Sequence, residues 1–159
     1  MQQIKAEVCP LIPAKHLLII ADACFGGLLL KRSTDTTPTY YDMSYVKSIT
    51  KEHVRQIITA GSEKQRVLDG GIKDHSVFTG RLIESLSNVK TYVTALQLGV
   101  DLKEKVYGDA AARGHNQTPQ VGKIYGVGDF VFIPDAEKEQ RKVEDQIRTL
   151  EGEINDYAD

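Results

Sequence analysis

The chain has 159 residues, 41% hydrophobic and 26% charged, which suits one globular domain and leaves little room for two. Its 20 basic and 22 acidic residues give a formal net charge of −2, so no electrostatic footprint for nucleic acid or an anionic membrane is expected. No apolar run approaches the roughly 18 residues of a membrane span. The opening "MQQIKAEVCPLIPAKH" is too polar for a secretory signal, so a cytoplasmic protein with two reduced cysteines is expected.

In chain order, "HLLIIADACFGGLLL" comes first, at residues 16–30. The continuous hydrophobicity of Leu17 to Ala21 predicts a strand covered on both faces, as in a parallel sheet. "QIITAG", residues 56–61, repeats the pattern. The polar stretch between them, rich in Thr, Ser and Tyr, reads as a long crossover or surface loop. Ser76 predicts an N-cap for the helix "VFTGRLIESLS", with Val77, Leu82, Ile83 and Leu86 near one face. Thr94 is a second N-cap, opening a helix that carries Leu96, Val100 and Leu102. "GDFVFIP", residues 128–134, is a short strand ended by proline. Strands alternating with helices point to an α/β layered domain over 1–134.

The charge shifts beyond Pro134. Residues 135–159 carry nine acidic and four basic residues, net −5, leaving +3 for the first 134. Val143, Ile147, Leu150, Ile154 and Tyr157 step by four, three, four and three, the seam of an amphipathic helix. That seam fits a helix docked on its own domain, a short dimer coil or the start of a longer one.

Cys24 stands where ligand and catalytic groups gather in open α/β sheets, at the carboxyl end of a strand. A buried structural cysteine is the plain alternative. Asp22 argues against it, because a carboxylate at the edge of a core needs a partner, and a substrate cation is one option. Other cysteine chemistries fail on spacing. A phosphatase loop needs an arginine six residues on, where Leu30 stands, and Cys9 lies 15 residues away without a paired zinc ligand. "GVGDF" opens a strand rather than a helix and lacks the third glycine of a dinucleotide site. No cofactor or metal is implied.

Asp22-Ala23-Cys24-Phe25-Gly26 has the frame of the caspase nucleophile motif, Q-A-C-[RQG]-G, with Asp in place of Gln. It resembles more closely the metacaspases and prokaryotic caspase-like peptidases, whose motif runs D-[AS]-C-x-[SG]-G, with Gly27 as its final glycine. "QIITAGSEKQRVLDGG" and "HSVFTGRLIESL" are similar to the strand, substrate loop and helix that follow the cysteine in that family. "QTPQVGKIYGVGDFVFIP" resembles its closing segment. The resemblance implies a caspase-like layered fold with a mostly parallel sheet flanked by helices, and a cysteine endopeptidase with a Cys-His dyad. Cys24 would be the nucleophile, its own N–H helping to hold the oxyanion. Asp22 would sit in the primary specificity pocket and favour Arg or Lys before the scissile bond. Gly27 and Ser62 would belong to the substrate site, with Asp69 a weaker addition.

The family's histidine lies about 50 residues upstream of the cysteine and is followed by glycine. Here only 23 residues precede Cys24, without a His-Gly pair. At about 3.3 Å per residue, His16 stands on the order of 25 Å from Cys24 along its strand. His53 enters its strand at the same far end, and His115 lies somewhere on the rim. His75, after the loop that follows "IITAG", is the one internal candidate base, although "HS" before a helix reads more simply as a loop and cap. Without a base, a thiol of pKa about 8.5 is only a few per cent thiolate at neutral pH.

The chain is therefore expected to be the cysteine-bearing, C-terminal part of a caspase-like domain whose N-terminal strands and histidine come from a separate polypeptide, are removed, or are absent by truncation. The leading expectation is a peptidase, or the part of one that carries nucleophile and pocket, acting on protein or peptide substrates. The alternative is a non-catalytic pseudopeptidase or adaptor that associates through the scaffold and the C-terminal seam. Both predict an open sheet edge that invites the missing segment or a second copy.

Overall fold

The computed structural model describes residues 4–25 and 43–135. Gly26, Gly27 and the C-terminal seam lie outside the described residues. Turns at Ile4–Val8 and Cys9–Leu11 lead into β1 (His16–Phe25), and α1 (Met43–Ile49) precedes β2 (Val54–Ser62). A 3-10 turn (Ile72–Asp74) introduces α2 (Val77–Ser87). Then follow β3 (Val93–Thr94), α3 (Ala95–Ala111), β4 (Gln120–Gly126) and β5 (Val131–Phe132). The main sheet has three strands in the order β1-β2-β4; β3 and β5 form a second, two-stranded sheet. The protein is thus mixed α/β.

β2 is the central strand, and its sequence fits that position. Val54, Ile57, Ile58 and Ala60 are fully buried, and its polar members find partners inside. The Arg55 guanidinium donates to the carbonyls of Ile12 and Lys15 at 3.1 Å each. Gln56 donates to Asp129 Oδ1 at 2.7 Å and accepts from the Phe130 amide at 2.6 Å. These bonds offset the cost of burying polar groups in a strand otherwise made of Val and Ile. β1 runs parallel to β2, from His16 opposite Val54 to Phe25 opposite Ser62.

α2 and α3 cover one face of the sheet. Ile58 and Ala60 of β2 join Val77 and Phe78 of α2 and Leu98, Leu102 and Val106 of α3 in one buried cluster. Each large side chain there contributes about 1.5–3 kcal/mol by leaving water. Ser76 caps α2 by accepting from the Thr79 amide. Thr94 and Gln97 form a reciprocal capping box at the start of α3. Both N-caps agree with the sequence reading.

Three expectations are corrected. The sheet is not mostly parallel among the described residues, because β4 pairs antiparallel with β2. Its Gln120, Lys123 and Tyr125 break up the apolar run, with Tyr125 exposed and the other two half-buried, and the sequence predicts no strand there. The polar stretch after β1 is not all loop, since α1 buries Val46 and Ile49. Finally, Ile83 and Val100 point outward, 45% and 43% exposed, while Phe78 and Leu98 fill the core.

No described helix is long and apolar enough to cross a membrane.

Candidate functional site

The carboxyl ends of β1 and β2 carry the groups that the sequence singled out. Cys24 pairs with Gly61 and Phe25 with Ser62, but Ala21 pairs with Thr59. Three residue steps on β1 therefore match two on β2, a bulge that re-aims the side chains around it. It sets Cys24 beside Gly61, whereas Asp22 reaches α2. A Cβ built on Gly61 would stand 2.8 Å from Cys24 Sγ and 3.3 Å from Gln65 Oε1. Glycine at 61 is thus what leaves room for the sulfur.

The Asp22 carboxylate is held from within the fold. Its Oδ2 accepts from Ser76 Oγ at 2.6 Å and from Thr79 Oγ1 at 2.8 Å. Both hydroxyls belong to the first turn of α2, where a negative charge is also favoured by the helix dipole. The partner that the sequence demanded for this carboxylate is therefore internal, although Asp22 remains exposed to solvent. The sequence marks Ser76 as a cap and gives Thr79 no role. Hydroxyls at i and i+3 of a predicted first turn were the available signal, but nothing local says which carboxylate they meet.

Burial pushes the Cys24 thiol above its ordinary titration range, and the charge of Asp22 pushes it further. Both disfavour the thiolate. Cys24 and Cys9 are free cysteines.

None of the histidines hydrogen-bonds Cys24 among the described residues. His16 sits at the opposite end of β1, its Nε2 2.9 Å from the Glu52 carbonyl. His53 precedes β2 at that same end. His115 Nε2 lies 2.8 Å from the Arg66 carbonyl, on the loop rim. His75 is exposed, and its backbone closes the turn with Gly71 and Ile72. It is next in sequence to Ser76, which binds Asp22, and so comes nearest along the chain to the site.

The loop after β2 is tied down by residues that the sequence reading missed. Gln65 Oε1 accepts from the amides of Ser62 at 3.0 Å and Thr118 at 2.9 Å, and its Nε2 donates to Asn116 at 3.1 Å. Gln117, fully buried, accepts from the Leu68 amide and donates to the Ala60 carbonyl. Ser62 thus enters the site through its backbone. The Asp69 carbonyl accepts from Arg113 at 3.3 Å, a contact between the loop and the end of α3. No described interaction joins Asp69 to Asp22. Gly27 lies outside the described residues.

Among the described residues, no three His, Cys, Asp or Glu side chains are grouped to hold a metal ion. The fold and site define a mixed α/β protein with a thiol and a carboxylate at one edge of its sheet. Compared with protein-family models, curated proteins and solved structures, the chain matches none.

Proposed function

We propose that this chain supplies the nucleophile and the primary specificity pocket of a caspase-like cysteine endopeptidase. The observation that carries the reading is the placement of Asp22 and Cys24. They stand two residues apart at the carboxyl end of a strand in parallel pairing, with the carboxylate fixed by Ser76 and Thr79 and open to solvent.

In this reading the thiolate of Cys24 attacks the peptide carbonyl, the amine leaves, and water releases the acyl group. Asp22 receives the Arg or Lys side chain before the scissile bond. Burial first and Asp22 second disfavour the thiolate, so this reading needs a base from a histidine-bearing segment. The outer flank of β1, an edge of the described sheet, is where that segment would pair. Asp69 and His75 are left as loop elements, and Ser62 and Gly27 as lining of the substrate groove.

The same raised thiol favours a second reading, a non-catalytic pseudopeptidase or adaptor. In that case assembly would survive Cys24→Ala and be lost when Ile147 and Leu150 are both made Glu, as read by sedimentation.

Fluorogenic peptides ending in Arg, Lys or Asp separate the two. Cleavage after Arg or Lys that disappears in Cys24→Ala supports the peptidase. Cleavage indifferent to Cys24 overturns it. Silence from a chain folded by circular dichroism fits an incomplete site, and adding the histidine-bearing upstream segment then decides: Cys24-dependent cleavage supports the peptidase, continued silence the pseudopeptidase.

A further inference from the structure

The way Asp22 is held bears on which cation it can receive. A carboxylate offers about four lone-pair positions, two on each oxygen. Asp22 Oδ2 already accepts from Ser76 Oγ at 2.6 Å and Thr79 Oγ1 at 2.8 Å. Among the described residues, the two oxygens are therefore unequal, Oδ2 accepting twice and Oδ1 not at all.

A guanidinium gains its advantage from a fork, with one N–H on each carboxylate oxygen. With Oδ2 occupied, that fork loses one prong. An ammonium is a compact point charge with three rotatable donors, and it needs only one oxygen.

We propose that Ser76 and Thr79 are specificity-determining positioning residues that set the Asp22 subsite for lysine over arginine. This rests on the reading of Asp22 as the primary specificity pocket and narrows it. Neither hydroxyl touches substrate; both act through the carboxylate they hold. Ser76 is also the cap of α2, so Thr79 is the cleaner handle. Thr79→Val keeps the branched shape, leaves the cap in place and frees one acceptor position on Oδ2. Thr79→Ser keeps the hydroxyl.

The test is the rate of covalent labelling of Cys24 by peptidyl-Lys and peptidyl-Arg chloromethyl ketones. It is run at alkaline pH so that no catalytic base is needed, and followed by intact mass. Wild type is expected to label faster with the lysine reagent. Thr79→Val should move the Lys/Arg ratio toward arginine by about tenfold, one charge-assisted hydrogen bond's worth. Thr79→Ser should keep the wild-type ratio. An arginine preference in wild type, or a ratio unmoved by Thr79→Val in a folded variant, overturns the proposal while leaving the pocket intact. Labelling that is absent, or indifferent to Asp22→Asn with both reagents, overturns the pocket itself and this proposal with it.

Discussion

Ser76 Oγ donates to Asp22 Oδ2 at 2.6 Å while accepting from the Thr79 amide at 2.9 Å. One hydroxyl thus starts α2 and fastens the end of β1 to it. Ser76→Ala removes both bonds and leaves a backbone donor at the helix start without its cap. The expected cost is about 1–2 kcal/mol, measured by urea unfolding. Ser76→Thr, which keeps the hydroxyl, should recover most of that loss.

Gly61→Ala places a methyl group 2.8 Å from Cys24 Sγ. Real Cβ atoms do not tolerate that approach, so the Cys24 side chain must turn away or the paired strands must shift. The variant is expected to change the rate of thiol labelling by a disulfide reagent several-fold while the far-ultraviolet circular dichroism stays the same. An unchanged rate would place the thiol elsewhere.

The pH dependence of that labelling follows from the site. Burial first and the Asp22 charge second disfavour the thiolate, so half-maximal reactivity should fall above the ordinary thiol range of about 8.5. Asp22→Asn removes the second cause only. A negative neighbour opposes a second negative charge, so its removal should shift the profile toward lower pH without restoring an ordinary thiol. A profile that does not move would mean that Asp22 and Cys24 do not feel each other.

Away from the site, Arg81 grips Asp109 with two bonds, at 2.7 and 2.8 Å, and Glu84 with a third at 2.7 Å. The Arg81 hydrogen bonds hold the Asp109 carboxyl below its usual range. A lowered folded value means stability present above the unfolded value near 3.9 and lost as pH falls through the folded one. Asp109→Asn should cost about 1 kcal/mol near neutral pH. That gap should close as pH falls below about 4, measured by thermal unfolding across pH.

What the sequence revealed was local. The apolar runs around Leu17 and Ile57 announced the two parallel strands, and Ser76 and Thr94 announced both long helices, because caps and periodicity are written within a few residues. β4 was not legible, because Gln120, Lys123 and Tyr125 mask an edge strand that is recognisable only from its pairing with β2. Phe78 and Leu98 were missed as core because helix faces are chosen by what packs on them. At the site, Asp22 and Cys24 could be picked out by type and spacing. Their partners Ser76, Thr79 and Gly61 could not, since those contacts join residues more than 35 positions apart.

The central claim is that Asp22 guides a basic side chain to Cys24. Its most direct test compares how fast peptidyl-Lys and peptidyl-Asp chloromethyl ketones label Cys24 at alkaline pH, in wild type and in Asp22→Asn. The account predicts faster labelling by the lysine reagent, with the preference abolished by the substitution. Equal rates in wild type, or a preference that survives Asp22→Asn, would contradict it.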